Sequence, residues 1–334
     1  MKIQNFDTSK KIFLIAEIGN NHEGDFKLAK KLIILAKNNG ADAVKFQFIT
    51  PENLVNPNNN EKRINQLKKF CLPLVKILEL RNFAKKNRII FLCSIFDLQI
   101  ISKIKNKFPA FKVPSSDNNN LIMINDYIDS KKPILLSCGM LNRKNLEKIL
   151  NQIKTNKNFI KKNLCLMHCV SNYPLENEDS NMNFLTDLKK FGFEIGYSDH
   201  AFGIDNCLVA ASLGARIIEK HFTLSHNFSN FRDHMHSANP QELNELSKKL
   251  SKINSMLGLS KKIIGSNEQK NVKSLRRGVY ASKNLKKGNV LSLKDLILLR
   301  PETKIKIEDI HRIIGKKLKK NFNKYSEIYL KDLS

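Results

Sequence analysis

Short apolar runs alternate along the chain with helix-length amphipathic stretches. The runs are IFLIAE (12–17), ADAVKFQ (41–47), IIFLCS (89–94), AFKVPS (110–115), PILLS (133–137), LCLMHC (164–169), FEIGYS (193–198) and ARIIEKH (215–221). Each is brief and rich in Val, Ile, Leu and Phe, the pattern of a strand buried on both faces. In the stretch DFKLAKKLIILAKNNG (25–40) apolar positions recur every three or four residues and stop at Gly40, which reads as an amphipathic helix. Further helices are expected over 64–87, 143–155, 181–191, 203–213 and 240–257. Eight strands separated by helices match an α/β fold of the (β/α)8, or TIM, barrel type.

The polar residues sharpen that reading, because nearly every run ends on a reactive side chain. These are Glu17; Lys45 and Gln47; Ser94; Lys112 and Ser115; Ser137; Ser171; Ser198 with His200; and Glu219 with His221. In a barrel the C-terminal strand ends converge on one mouth, where active sites are built. After residue 258 the character changes. The sequence predicts a barrel over 1–258, a polar linker over 259–275 and a small β-rich domain over 276–334. Within that domain LKKGNVLSLKDL (285–296) and FNKYSEIYLKDL (322–333) echo each other, which suggests two similar half-units.

Composition narrows the function classes. The 334 residues carry a net charge of +27, but the excess is mostly Lys scattered as pairs such as Lys30-Lys31 and Lys248-Lys249. No Arg-rich stripe interleaves with aromatics, so a solvated surface is expected rather than a nucleic-acid partner. The 6 Cys lie far apart without a CxxC pair, and the start MKIQNFDTSKK has no apolar core of a secretory leader. No run reaches the ~18 apolar residues of a membrane span. A cytoplasmic enzyme with reduced, buried cysteines and no membrane partner is expected.

At the mouth, His200 and His221 end neighbouring strands, about 4.8 Å apart in a parallel sheet. Two neutral imidazoles can share one divalent ion and leave positions for water and substrate; the alternative is two polar rim histidines. His234 and His236 form a competing H-x-H pair in the polar segment 225–239. Lys45 and Lys112, with the hydroxyls of Ser115, Ser137 and Ser171, suit a doubly charged phosphorylated carboxylate. Otherwise the lysines are salt-bridged to Glu17 or Glu219, or one of them forms a Schiff base. Glu17 precedes the turn-rich GNNHEGD, expected to fold over the mouth, and can act as a base or position a water.

These residues resemble the sialic acid synthase family. The resemblance is carried by AEIGNNHEGD (16–25), KFQ (45–47), FKVPSSDNNN (111–120), PILLSCGM (133–140), HCVSNYP (168–174), GYSDH (196–200), EKHFT (219–223) and RDHMHS (232–237). The tail RRGVYASKNLKKG…LLRP (276–301) resembles the antifreeze-like (SAF) module of those enzymes. The resemblance implies a domain-swapped homodimer and condensation of phosphoenolpyruvate with an N-acetylated amino sugar of the N-acetylmannosamine type. A divalent metal is implied too, usually manganese, with magnesium or cobalt as alternatives, on His200 and His221. By resemblance Glu17, Lys45 and Lys112 are catalytic, and Lys45, Lys112, Ser94, Ser115, Ser137, Ser171 and Ser198 hold phosphoenolpyruvate. Gln47, Asp117, Tyr173, Asp233 and Arg300 contact the sugar. A related sugar-acid synthase, a Schiff-base aldolase and a non-enzymatic basic binding protein are the competing readings. The chain departs from the family pattern at Pro114 and Ser116, where many members have Gly, at Ile95, where Pro is usual, and at NKYSE (323–327), which lacks the expected Gly.

Overall fold

The structure, a computed structural model, describes every residue except Asn59, Arg232, Leu259 and Ser260. The first residue of RDHMHS and the first two of the 259–275 segment thus lie outside the described residues. The chain folds as two compact units, Met1–Gly258 and Leu259–Ser334.

In the first unit a two-stranded hairpin, β1 (Lys2–Ile3) and β2 (Phe6–Asp7), precedes eight longer strands. These are β3 (Phe13–Gly19), β4 (Ala43–Phe48), β5 (Ile90–Ile95), β6 (Phe111–Val113), β7 (Ile134–Ser137), β8 (Leu164–His168), β9 (Glu194–Asp199) and β10 (Ile217–His221). Each lies on one of the apolar runs. They form one sheet in the order β5-β4-β3-β10-β9-β8-β7-β6, with parallel pairing. Its two ends, β5 and β6, lie side by side, so the sheet curls into a nearly closed barrel.

Strand alternation sets what faces the mouth. The barrel interior is packed by Phe13 and Ile15, Ala43, Ile90 and Leu92, Ala110, Leu135, Cys165 and Met167, and Ile217, with Ile3 of the hairpin as a floor. Two residues beyond these apolar layers stand Glu17, Lys45, Ser94, Lys112, Ser137, Cys169 and Glu219. The intervening residues, such as Leu14, Val44, Leu136 and Ile218, face outward into a larger core beneath the helices.

The helix expected over 64–87 is two, Glu61–Phe70 and Leu74–Lys86. Pro73 divides them: it lacks an N–H and bars the preceding residue from the helical region. The 259–275 segment is not irregular throughout, because Ser266–Leu275 is helical with none of its residues buried. A polar Asn/Gln/Lys composition is compatible with helix and gives no apolar stripe by which to read one.

In the second unit β11 (Gly278–Ala281) pairs with β12 (Leu296–Leu299) in antiparallel fashion, over a core that includes Val279, Leu291, Ile313 and Ile328. The sequence echo is structural. Both L-K-D triplets form 3₁₀ turns, Leu293–Asp295 and Leu330–Asp332. The first residues of the two repeats, Leu285 and Phe322, exchange backbone hydrogen bonds of 2.8 and 2.9 Å. Gly288, the fourth residue of the first repeat, has φ +86°, and Tyr325 at the same place in the second has φ +68°. The turn geometry requires a left-handed residue in both halves, and in the second it is a tyrosine with an exposed side chain. Tyr325→Gly is therefore expected to stabilise this unit by about 0.5–1 kcal/mol, the relief of left-handed strain exceeding glycine's entropic penalty. Chemical denaturation monitored on this unit checks it.

Candidate active site at the barrel mouth

Four charged side chains from four strands form one buried chain. Glu17 of β3 accepts an ion pair from Lys45 of β4 at 2.8 Å. Lys45 lies 3.6 Å from Glu219 of β10, and Glu219 pairs with Lys112 of β6 at 2.8 Å. All four are nearly inaccessible to water. Hydroxyls and an amide complete the set: Ser198 donates to Glu219 at 3.0 Å, Lys45 to Ser94 at 3.4 Å, and Gln47 to Glu17 at 2.9 Å. The lysines are thus salt-bridged to Glu17 and Glu219, as one of the sequence readings had it.

The two carboxylates differ in proton affinity. Burial raises the pKa of Glu17, and the nearby Glu219 adds to the rise against the pull of Lys45. Burial also acts on Glu219, but the two ammoniums of Lys112 and Lys45 outweigh it and hold that carboxyl well below the usual range. Lys45 loses affinity by burial and regains more from the two carboxylates, so its pKa is raised. A lysine held so firmly protonated is a poor Schiff-base nucleophile.

Across the mouth, hydroxyls gather around Gly139. Ser115 Oγ is 3.0 Å from Cys169 Sγ, and Ser171 Oγ is buried with no hydrogen-bond partner among the described residues. A Cβ at Gly139 would lie 2.5 Å from Ser115 Oγ, 2.7 Å from Ser171 Oγ and 3.0 Å from Cys169 Sγ. Asn118 fastens this wall by donating to the carbonyls of Ser137 and Gly139 at 3.1 and 2.7 Å. Asp117 follows on the Ser115–Asp117 turn and accepts from Ser116 at 2.8 Å. Gly139→Ala must displace both hydroxyls, so it is expected to raise the KM for an anionic substrate by about tenfold or more while the melting temperature moves little. Steady-state kinetics beside thermal unfolding separates the two effects.

The histidines form a third patch. Ring centroids of His200 and His221 are 5.5 Å apart, and that of His236 is 5.0 Å from His221. Tyr173 lies over His200 at 4.2 Å. His200 Nδ1 donates to the Val170 carbonyl at 2.6 Å, which leaves Nε2 as its lone pair. Burial lowers the His200 pKa to about 4. It also lowers that of His221 well below the ordinary imidazole value, with His236 and His200 adding repulsion. Among the described residues no three His, Cys, Asp or Glu are grouped as a metal site would be.

The H-x-H pair splits because it sits on the short helix Asp233–His236. His234 is held away by Thr223 at 2.6 Å and Glu23 at 3.0 Å. His236 joins the mouth, as does Asp233, whose charge, after burial and Cys169, helps to raise the Tyr173 pKa. GNNHEGD folds across these elements: Asn21 donates to the Phe222 carbonyl and to Ser237, each at 2.9 Å. His22, stacked on Phe46 at 5.8 Å, has its pKa lowered to about 4 by burial, against the opposing pull of Asp25. The unfolded chain therefore takes up the proton first, and stability falls as pH drops from about 6.5 towards 4. From pH 7 to 5 the wild type is expected to lose about 2 kcal/mol more than His22→Gln, read from urea unfolding. Arg300 lies in the second unit, exposed beside Pro301.

Glu219, His236, Asn118 and Cys169 are the residues that strand-end reasoning undervalued. Glu219 was named at its strand end, but only as an alternative partner of the lysines; Cys169 closes the run 164–169 and was open to the same argument. His236 and Asn118 depend on loop geometry that no periodicity reveals.

The NeuB family model matches residues 32–262 and the SAF domain model residues 276–333. An N,N'-diacetyllegionaminic acid synthase of Campylobacter jejuni is 36% identical, over 94% of this chain and 97% of the relative. The N-acetylneuraminate-9-phosphate synthase of Homo sapiens is 30% identical, over 92% and 88%. Among solved structures, the N-acetylneuraminic acid synthetase of Leptospira borgpetersenii in complex with citrate superposes with a TM-score of 0.75 at 31% identity, covering 81% of this chain and 94% of that one.

Proposed function

Because the chain belongs to the NeuB family, we propose that it joins phosphoenolpyruvate to the aldehyde of an N-acetylated amino sugar, giving a nine-carbon sialic-acid-type sugar and phosphate. The observation that carries this is the buried chain Glu17–Lys45–Glu219–Lys112. It brings two ammoniums and two carboxylates of unequal proton affinity to one mouth.

In this reading Lys45 and Lys112 bind the phosphate and carboxylate, exchanging their carboxylate partners for the substrate's anionic groups. Ser94, Ser115, Ser137, Ser171 and Ser198 supply the remaining hydrogen bonds. Gln47, Asp117, Tyr173 and Asp233 orient the sugar, and Arg300 enters by resemblance alone, as does the homodimer. C3 of phosphoenolpyruvate attacks the aldehyde carbon as its C=O π bond breaks and the aldehyde oxygen takes up a proton to become a hydroxyl, and water adds to the cation left at C2. Glu17, the carboxyl with raised proton affinity, takes the proton of that water. The tetrahedral intermediate then releases phosphate by C–O cleavage as its C2 hydroxyl collapses to the ketone and its proton leaves with the phosphate, and Lys45 and Lys112 neutralise the departing charge.

His200 and His221 fit a divalent metal. Both imidazoles are neutral at pH 7, His200 has Nε2 as a lone pair, and His221 Nδ1 is buried with no hydrogen-bond partner among the described residues. A manganese ion there would supply Lewis-acid polarisation of a substrate oxygen.

Phosphate release from phosphoenolpyruvate, assayed with N-acetylmannosamine, its 6-phosphate and a 2,4-diacetamido-trideoxy sugar, tests the proposal. Release with one of them supports it and names the sugar. Release with none contradicts it.

A further inference from the structure

The barrel has one seam with no hydrogen-bonded ladder among the described residues, between β5 and β6. At the N-terminal end of that seam, opposite the mouth, lies a cavity of about 620 Å³. Its apolar lining is the start of β5, Ile89 to Phe91, and Phe108 with Pro109 just before β6.

Among the described residues five cations line the same cavity and no carboxylate does. Arg81, Lys85 and Arg88 stand on the β5 side, on and just after helix Leu74–Lys86, while Lys107 and Lys132 stand on the β6 side. Arg81 bonds only the Asn82 amide, at 3.3 Å, and neither it nor Lys85, Arg88 or Lys107 is paired with a carboxylate among the described residues. Lys132 is fixed in place, donating to the carbonyls of Lys105 and Phe108 at 3.0 and 2.7 Å. Its pKa is lowered by burial and then by Arg81, so the like charges are felt. Arg88 occupies a left-handed backbone position, φ +58°, where glycine or asparagine is usual after a helix. A scattered basic surface would not collect its cations in one concavity on both banks of an unsealed seam.

We propose that this cavity binds a phosphorylated small molecule carrying at least two negative charges, which bridges the β5 and β6 sides. Its volume falls within the roughly 300–1,000 Å³ of small-molecule sites. Arginine forks suit phosphate oxygens, and the apolar wall receives the uncharged part of the ligand. The site is separate from the mouth and does not depend on the reaction proposed there.

Calorimetric titration of the full chain with pyrophosphate, at fixed ionic strength and without divalent metal, tests the inference. Wild type is expected to bind. Arg81→Gln/Lys107→Gln, which removes one cation from each bank, is expected to bind at least about tenfold more weakly at one site, with an unchanged KM for phosphoenolpyruvate. Lys316→Gln/Lys319→Gln, at two exposed lysines of the second unit, removes the same charge and should bind like wild type. No binding by wild type, wild-type affinity in the cavity variant, or equal weakening in the control overturns the assignment. Because the deciding reading is pyrophosphate affinity, with the phosphoenolpyruvate KM only an added check, failure of the condensation reading leaves this result interpretable.

Discussion

Glu17→Gln is expected to lower kcat by about 10³-fold, within the range general acid–base groups contribute. The side chain is 1% exposed, with Lys45 Nζ at 2.8 Å and Gln47 Nε2 at 2.9 Å on the same oxygen. Glutamine keeps the volume and can keep one oxygen towards Lys45, so the barrel stays folded. What it loses is the capacity to take a proton, which burial and Glu219 have raised in Glu17. Phosphate-release rates beside the thermal unfolding curve measure both quantities. A variant within about tenfold of wild type would remove Glu17 from the chemistry.

Lys112→Met is expected to raise the phosphoenolpyruvate KM by about 10²-fold, the loss of one charge-assisted contact of about 2–3 kcal/mol. The same substitution leaves Glu219, now holding Lys112 at 2.8 Å and Ser198 at 3.0 Å, with Lys45 at 3.6 Å as its one ammonium. Glu17 competes for that ammonium. Breaking a buried pair from one side costs about 3–5 kcal/mol, and the retained Lys45 places this case at the lower end. Adding Glu219→Leu should recover stability in urea unfolding without recovering activity. Joint recovery of both would mean that the pair serves packing alone.

Much of the barrel was legible because its strands are buried on both faces. Runs such as IIFLCS and LCLMHC have few other uses, and their period-two alternation sends Ser94, Lys112 and Glu219 towards the mouth. Helix breaks were less legible. The apolar spacing over 64–87 continues through Cys71-Leu72-Pro73, and only Pro73 marks the interruption. The exposed helix Ser266–Leu275 has no apolar stripe to betray it.

Site residues divide along the same line. Those on strands follow from register: His221 pairs with Glu17, and Glu17 with Lys45, across neighbouring strands. Those on loops do not. His234 and His236 are indistinguishable in sequence, and only the short helix that carries them turns one towards Glu23 and the other towards His221. The missing glycine in NKYSE was visible as a departure. That Tyr325 would adopt the glycine's backbone conformation follows only from the paired turns of the two repeats.

The most direct measurement of the central claim is a crystal structure of the full chain with phosphoenolpyruvate bound. The phosphate and carboxylate are expected between Lys45 and Lys112, with the Lys112–Glu219 contact exchanged for the ligand and Ser115 and Ser171 bonded to it. An anion bound elsewhere, with the Glu17–Lys45 and Lys112–Glu219 pairs undisturbed, would contradict it.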